Sequence, residues 1–181
     1  MESLSDITVA FTGNRSLIPP SNIYSDDLEG VIRASLHDLL EQAYCAGKRI
    51  FLSGGAVGFD LMAAEEVVAL RLQYHDVQLV LVTPFDGQDA KYPERDKELY
   101  ASLLSEADRV VRIAESYSLG AYHQRNEYLV ENCGELIAYS SGKGRGTVST
   151  MRRAVKRGVQ VTNIYDLIGG RAQCRQLDLE F

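Results

Sequence analysis

Apolar residues in this chain gather into short unbroken runs that alternate with longer, periodic stretches. Ile7 to Phe11, Ile50 to Leu52, Val77 to Val82, Val110 to Ile113, Leu136 to Tyr139 and Val159 to Ile164 have the length of strands and lack polar alternation, which predicts strands buried on both faces. Between them the apolar positions recur at helical spacing. Leu28, Val31, Ile32, Ser35, Leu36, Leu39 and Ala43 share one face of a helix that Gly47 ends, and Leu61, Ala64, Val68 and Leu72 repeat the pattern. Glu94 to Ser105, Ala121 to Asn132 and Thr147 to Arg157 read as further helices, the last with Gly158 beyond its end, while Asp86 to Pro93 reads as polar loop. Strand followed by helix, over and over, predicts an α/β fold around a parallel sheet.

Glycine marks the points where strands give way to helices. Thr12-Gly13-Asn14-Arg15, Ser53-Gly54-Gly55-Ala56-Val57-Gly58-Phe59-Asp60 and Gly142-Lys143-Gly144-Arg145-Gly146-Thr147 all follow predicted strands, so all fall on the sheet edge where open parallel folds bind ligands. Glycine allows a sharp turn and close approach, and a helix start offers unpaired N–H groups to an anion. Together the turns predict a site for a phosphate-bearing small molecule. Arg15 has the planar fork suited to phosphate oxygens, and Thr147 either caps its helix or meets a phosphate. Asp60, in the first turn of its helix, is either a dipole partner or an acceptor for ribose hydroxyls. Tyr117, Tyr122 and His123 are either packing residues or a ring for a base to stack on.

Two familiar phosphate motifs are absent. Ser53 stands where the first glycine of a dinucleotide fingerprint belongs, and Asp76 precedes the next strand, whose end is Thr83-Pro84, instead of closing it with an acid. Gly142-Lys143 is followed by Gly144 and not by Ser or Thr, as a triphosphate loop requires. His37, His75 and His123 lack metal-ligand spacing, so neither a metal nor a cofactor is expected beyond a nucleotide-type ligand.

Composition narrows the setting. With 181 residues, 45% of them apolar, residues 1–167 are expected to form a single domain, with 168–181 a polar tail or edge element. Cys45, Cys133 and Cys174 are odd in number and far apart, which fits free thiols in a reducing cytoplasm. No run of about 18 apolar residues would span a membrane. A formal net charge of −6 disfavours nucleic acid as a partner.

The ordered set Phe11-Thr12-Gly13-Asn14-Arg15, Ser53 to Asp60 with Ala63-Ala64-Glu65, Thr83-Pro84-Phe85, Arg125-Asn126 and Gly146-Thr147 resembles the SLOG superfamily, most closely its YpsA-like branch. The resemblance runs from about Ile7 to about Ile164. It implies a Rossmann-like three-layer fold, helices on both faces of the sheet, and a role with nucleotide-derived ligands, with relatives among DprA-like DNA-processing proteins and LOG-type phosphoribohydrolases. Carried onto this chain, it nominates Gly13, Arg15, Gly54, Gly55, Gly58, Asp60, Arg125, Asn126, Gly146 and Thr147 as the pocket, to which Asn14, Ser53, Thr83 and Gly144 are added by position. Two departures stand out. The glutamate of the LOG-type motif is missing, since Thr147 is followed by Val148, Ser149 and Thr150; and Gly134 replaces an aspartate common before the strand that feeds the last glycine loop, which predicts an altered ligand contact.

The leading expectation is therefore a cytoplasmic binder or sensor of a nucleotide or nucleotide-derived phosphate ligand. One alternative is a nucleotide hydrolase using Asp60 or Glu65; another is DprA-like nucleic-acid binding along Lys143, Arg145 and Arg152-Arg153. Relatives of such folds often pair through helices, so a homodimer is also expected.

Overall fold

The computed structural model describes Ser3–Gly170. Its elements are β1 (Thr8–Gly13), α1 (Leu28–Cys45), β2 (Ile50–Ser53), α2 (Phe59–Gln73), β3 (Gln78–Thr83), α3 (Glu94–Glu106), β4 (Arg109–Arg112), α4 (Ala121–Glu131), β5 (Glu135–Tyr139), α5 (Arg145–Lys156), β6 (Gln160–Asn163) and α6 (Ile164–Ile168). The strands form one six-stranded sheet in the order β4-β3-β2-β1-β5-β6. Every pairing is parallel, with Ala10 of β1 level with Leu52 of β2 and Leu136 of β5.

Alternate residues of the strands divide the core in two. Phe11, Phe51, Leu79, Leu81 and Ile137 pack with Ile32, Leu36, Leu70, Leu103 and Ile164, so α1, α2, α3 and α6 cover one face. Ala10, Leu52, Val80, Val82 and Leu136 pack with Leu129, Val130, Met151 and Ala154, so α4 and α5 cover the other. This three-layer, Rossmann-like arrangement follows from the strand order: right-handed crossovers running outward from β1 to β4 lay their helices on one side, and the return to β5 beside β1 lays the next helices on the opposite side. Strand order thus reverses between β1 and β5.

Several boundaries differ from the sequence reading. Leu40, not Leu39, completes the buried stripe of α1, and Leu72 is 80% exposed because Leu70 turns inward at the last turn of α2. The loop from Asp86 to Pro93 contains a 3-10 turn, Gln88–Lys91, with Gln88 buried. β6 stops at Asn163, whose side-chain amide takes over the pairing with both main-chain groups of Ser140 and also reaches Asp166, so Ile164 opens α6 and does not extend the strand. Gly134 lies at the amino end of β5, where a Cβ would come within 2.8 Å of the Ser5 carbonyl. Close packing on the edge opposite the glycine turns accounts for a glycine here. Of the tail assigned to 168–181, residues 171–181, with Cys174, lie outside the described residues. Among the described residues no helix is long and apolar enough to cross a membrane.

Candidate functional site

The loops that follow β1 and β5 are fastened to each other where the strand order reverses. Asn14 makes most of the joint: its main-chain N–H donates to the Tyr139 carbonyl at 3.0 Å, its side-chain Nδ2 to the Lys143 carbonyl at 2.6 Å, and its Oδ1 accepts the Ser141 N–H at 3.2 Å. The Thr147 hydroxyl adds a bond to the Gly13 carbonyl at 3.0 Å. The loop after β2 closes on the same point, since the Phe59 N–H donates to the Asn14 carbonyl at 3.3 Å and Gly58 runs against the backbone of Asn14 and Arg15. All three glycine turns therefore share one rim.

Their chemistry is unequal. In the second turn the Gly55 N–H donates to the Ser53 hydroxyl, which donates in turn to the Asp60 carbonyl. The Gly54 carbonyl accepts from Arg125 at 2.6 Å and from Gln88 at 3.2 Å, and the Gly55 carbonyl accepts from Tyr92 at 3.0 Å. These polar groups serve one another. Arg125 and Asp60 lie 3.8 Å apart and are only 6% and 4% exposed, and the Arg125 guanidinium occupies the space a side chain on Gly54 would need. Burial pushes the Asp60 carboxyl up to about 6, against the lowering influence of Arg125, of backbone hydrogen bonds from Ala56 and Gly13, and of Arg15. Burial also raises the Tyr92 phenol. Asp60 is thus an internal counter-ion to Arg125, and its first-turn position serves that pair.

The last turn is open. α5 starts at Arg145, two residues before the predicted start, because Gly144 at φ +99° takes the N-cap position. Its first ladder bond runs from the Val148 N–H to the Gly144 carbonyl, which leaves the N–H groups of Arg145, Gly146 and Thr147 ahead of the ladder. Thr147 lies too far into the helix to cap it, and its hydroxyl binds Gly13 instead. Beside this start is an open cleft of about 250 Å³ lined by Gly142, Gly144, Arg145, Val148, Ser149 and Arg152. Arg145, Val148, Ser149 and Arg152 follow helical i, i+3, i+4, i+7 spacing, a signal that becomes legible once the helix start is placed correctly. Arg15, Arg145 and Arg152 have no carboxylate partner among the described residues.

The remaining candidates occupy other surroundings. Glu65 binds Arg33 at 2.8 Å, together with Glu29 and Glu66, in the contact between α1 and α2. Asn126 accepts from Arg125 Nε at 2.7 Å, and the buried Thr83 hydroxyl reaches the Val111 carbonyl at 3.4 Å. Arg153 pairs with Glu127 and meets His123 at 3.0 Å, joining α5 to α4, so it is not part of an open basic track. Gln88 and Tyr92 escaped sequence reasoning because an irregular loop carries no period; an aromatic within a polar stretch, directly before Pro93, is the one available signal. Among the described residues no three His, Cys, Asp or Glu side chains are grouped as a metal ion would require.

A family model for YpsA, described as the YspA SLOG family, matches residues 10–167. The chain belongs to this family. Its relatives include a UPF0398 protein of Bacillus cereus, 27% identical over 147 residues, covering 79% of this chain and 80% of the relative. A UPF0398 protein of Staphylococcus haemolyticus is 27% identical over 160 residues, covering 86% of this chain and 84% of the relative. Among solved structures, DNA processing protein A of Streptococcus pneumoniae is similar with a TM-score of 0.60 at 20% identity, over 97% of this chain and 53% of that protein. This chain thus spans about half the length of the pneumococcal protein. DNA processing protein A of Helicobacter pylori, described for its single-stranded DNA binding mode, is similar with a TM-score of 0.61 at 19% identity, over 93% of this chain and 75% of that one. At these identities the likeness is one of fold.

Proposed function

We propose that this protein binds a nucleotide or nucleotide-derived phosphate ligand, with phosphate at the start of α5 and Arg145, Arg152 and Arg15 about it. The observation that carries this reading is the rim itself, where Asn14 and Thr147 hold the loops after β1 and β5 together beside a cleft flanked by Arg145 and Arg152, which no carboxylate neutralises among the described residues. In a chain of net charge −6 such a local positive cluster has a use in meeting an anion. Calorimetric titration with AMP is expected to show binding that falls by about tenfold or more in Arg145→Ala and further in Arg145→Ala with Arg15→Ala, in keeping with the loss of charge-assisted hydrogen bonds. Affinity unchanged in the double variant would remove this site.

Binding without turnover is favoured over hydrolysis. Asp60 is buried against Arg125, Glu65 is held by Arg33, and the position of the LOG-type glutamate carries Thr150. A nucleoside monophosphate is expected to be recovered intact after prolonged incubation, and release of free base would reverse this preference.

Single-stranded DNA is the second reading, favoured by the Helicobacter pylori neighbour and by Arg145 and Arg152 on one face of α5. A gel shift with a short oligothymidylate that weakens steeply as salt rises is its expected signature.

A further inference from the structure

We propose that Phe85, Tyr117 and Tyr122, with Arg15, form the seat for the aromatic base of the nucleotide, an inference that rests on the phosphate reading of the rim. Phe85 follows β3, Tyr117 lies in the loop after β4, and Tyr122 stands in the first turn of α4, so the sheet's carboxyl edge brings together residues far apart in sequence. The ring centres of Tyr117 and Tyr122 lie 5.4 and 5.5 Å from that of Phe85, at interplanar angles of 88° and 83°. Neither tyrosine is stacked face to face on Phe85.

Exposure sets Tyr117 apart from the core. Phe85 is buried and serves as the floor of the seat, while Tyr117 is 65% exposed and the neighbouring Leu119 is 96% exposed. Open apolar and aromatic surface on the ligand-binding edge of a sheet is a common mark of a binding site, and a tyrosine face stacks on a nucleobase whatever its sequence.

Arg15 ties the seat to the rim. Its guanidinium carbon lies 5.7 Å from the Tyr122 ring centre, in cation–π range, while its main chain adjoins Asn14 and Gly58. α4, which carries Tyr122, is joined to α5, which carries Arg145, through Arg153 with Glu127 and His123. A ligand with phosphate at the start of α5 can thus direct a planar base toward the tyrosines, with Arg15 between the two. The ligand class this selects is a mononucleotide with an intact base, in preference to a bare sugar phosphate.

The test compares AMP with ribose 5-phosphate, which keeps the phosphate and lacks the base, by calorimetry on wild type, Tyr117→Ser and Tyr117→Phe. Wild type is expected to bind AMP about tenfold or more tighter than ribose 5-phosphate, the worth of one stacked base. Tyr117→Ser should bring AMP down toward the ribose 5-phosphate value without changing the latter, and Tyr117→Phe should keep the preference. Equal affinity of wild type for both ligands, a preference retained in Tyr117→Ser, or a parallel loss of both ligands in that variant would overturn the base seat and leave the phosphate reading standing. If wild type binds neither ligand, both fall. Because Tyr117 is exposed, the variants are expected to keep the wild-type far-UV circular dichroism; a Tyr117→Ser protein that unfolds would show the ring to be structural and also overturn the seat.

Discussion

Arg125→Met is expected to destabilise the fold by about 3–5 kcal/mol at pH 8, the usual consequence of stripping a buried charge of its partner, and by clearly less at pH 5. The arginine donates to the Gly54 carbonyl and faces Asp60 at 3.8 Å in a setting almost closed to water. Asp60 has an ordinary value of 3.8 and a folded value of about 6, so between those limits the folded chain holds a proton that the unfolded chain has released. Its contribution to stability is present below about 4 and is lost as pH rises through about 6. Removing Arg125 takes away the largest influence that lowers the Asp60 value, which moves the window upward and leaves a buried carboxylate alone at pH 8. Urea unfolding at the two pH values reads this directly, and adding Asp60→Asn should flatten the dependence. A loss of equal size at both would show that the two groups are not coupled.

Gly58→Ala is expected to destabilise the rim by about 3 kcal/mol or more. Gly58 sits at φ +90°, and a Cβ there would lie 2.4 Å from the Arg15 carbonyl oxygen and 2.6 Å from that of Asn14. Both obstacles are main chain, so relief requires separating the loops that follow β1 and β2. Gly142→Ala is the matched control, since Gly142 has φ +81° with nothing within 4 Å of the added carbon. It should carry only the backbone strain, about 1 kcal/mol. Comparable thermal shifts in the two variants would show that the close approach of the loops contributes little.

These two sites also show what a sequence can disclose. Strands without polar alternation, as in Ile137 between Leu136 and Ala138, announce a sheet covered on both faces at its centre. The edge strands β4 and β6, read the same way, stay partly open because each has a neighbour on one side only, with Val110 45% exposed. Glycine at the strand ends places the functional edge. The pairing of Asp60 with Arg125 is less legible, because the residues are brought together from different layers by the reversal of strand order. The second glycine turn was the most motif-like segment of the chain, yet the Gly55 N–H and the Gly54 and Gly55 carbonyls are taken up by Ser53, Arg125, Gln88 Nε2 and Tyr92. A buried turn must satisfy its main-chain groups, and a glycine count cannot distinguish inward bonds from outward donors. The last turn, less like any known motif, retains the open helix start because Gly144 begins α5 early and Asn14 braces the loop from outside.

The central claim is that phosphate is held where the loops after β1 and β5 meet. A backbone NMR titration with AMP addresses it residue by residue. The expected result is that the amides of Arg145, Gly146 and Thr147 move first and furthest, with Gly55 and Asn14 less affected because their N–H groups are already bonded to Ser53 and to the Tyr139 carbonyl. Shifts confined to the opposite edge near Gly134, or to the second glycine turn while Arg145 to Thr147 stay silent, would contradict it.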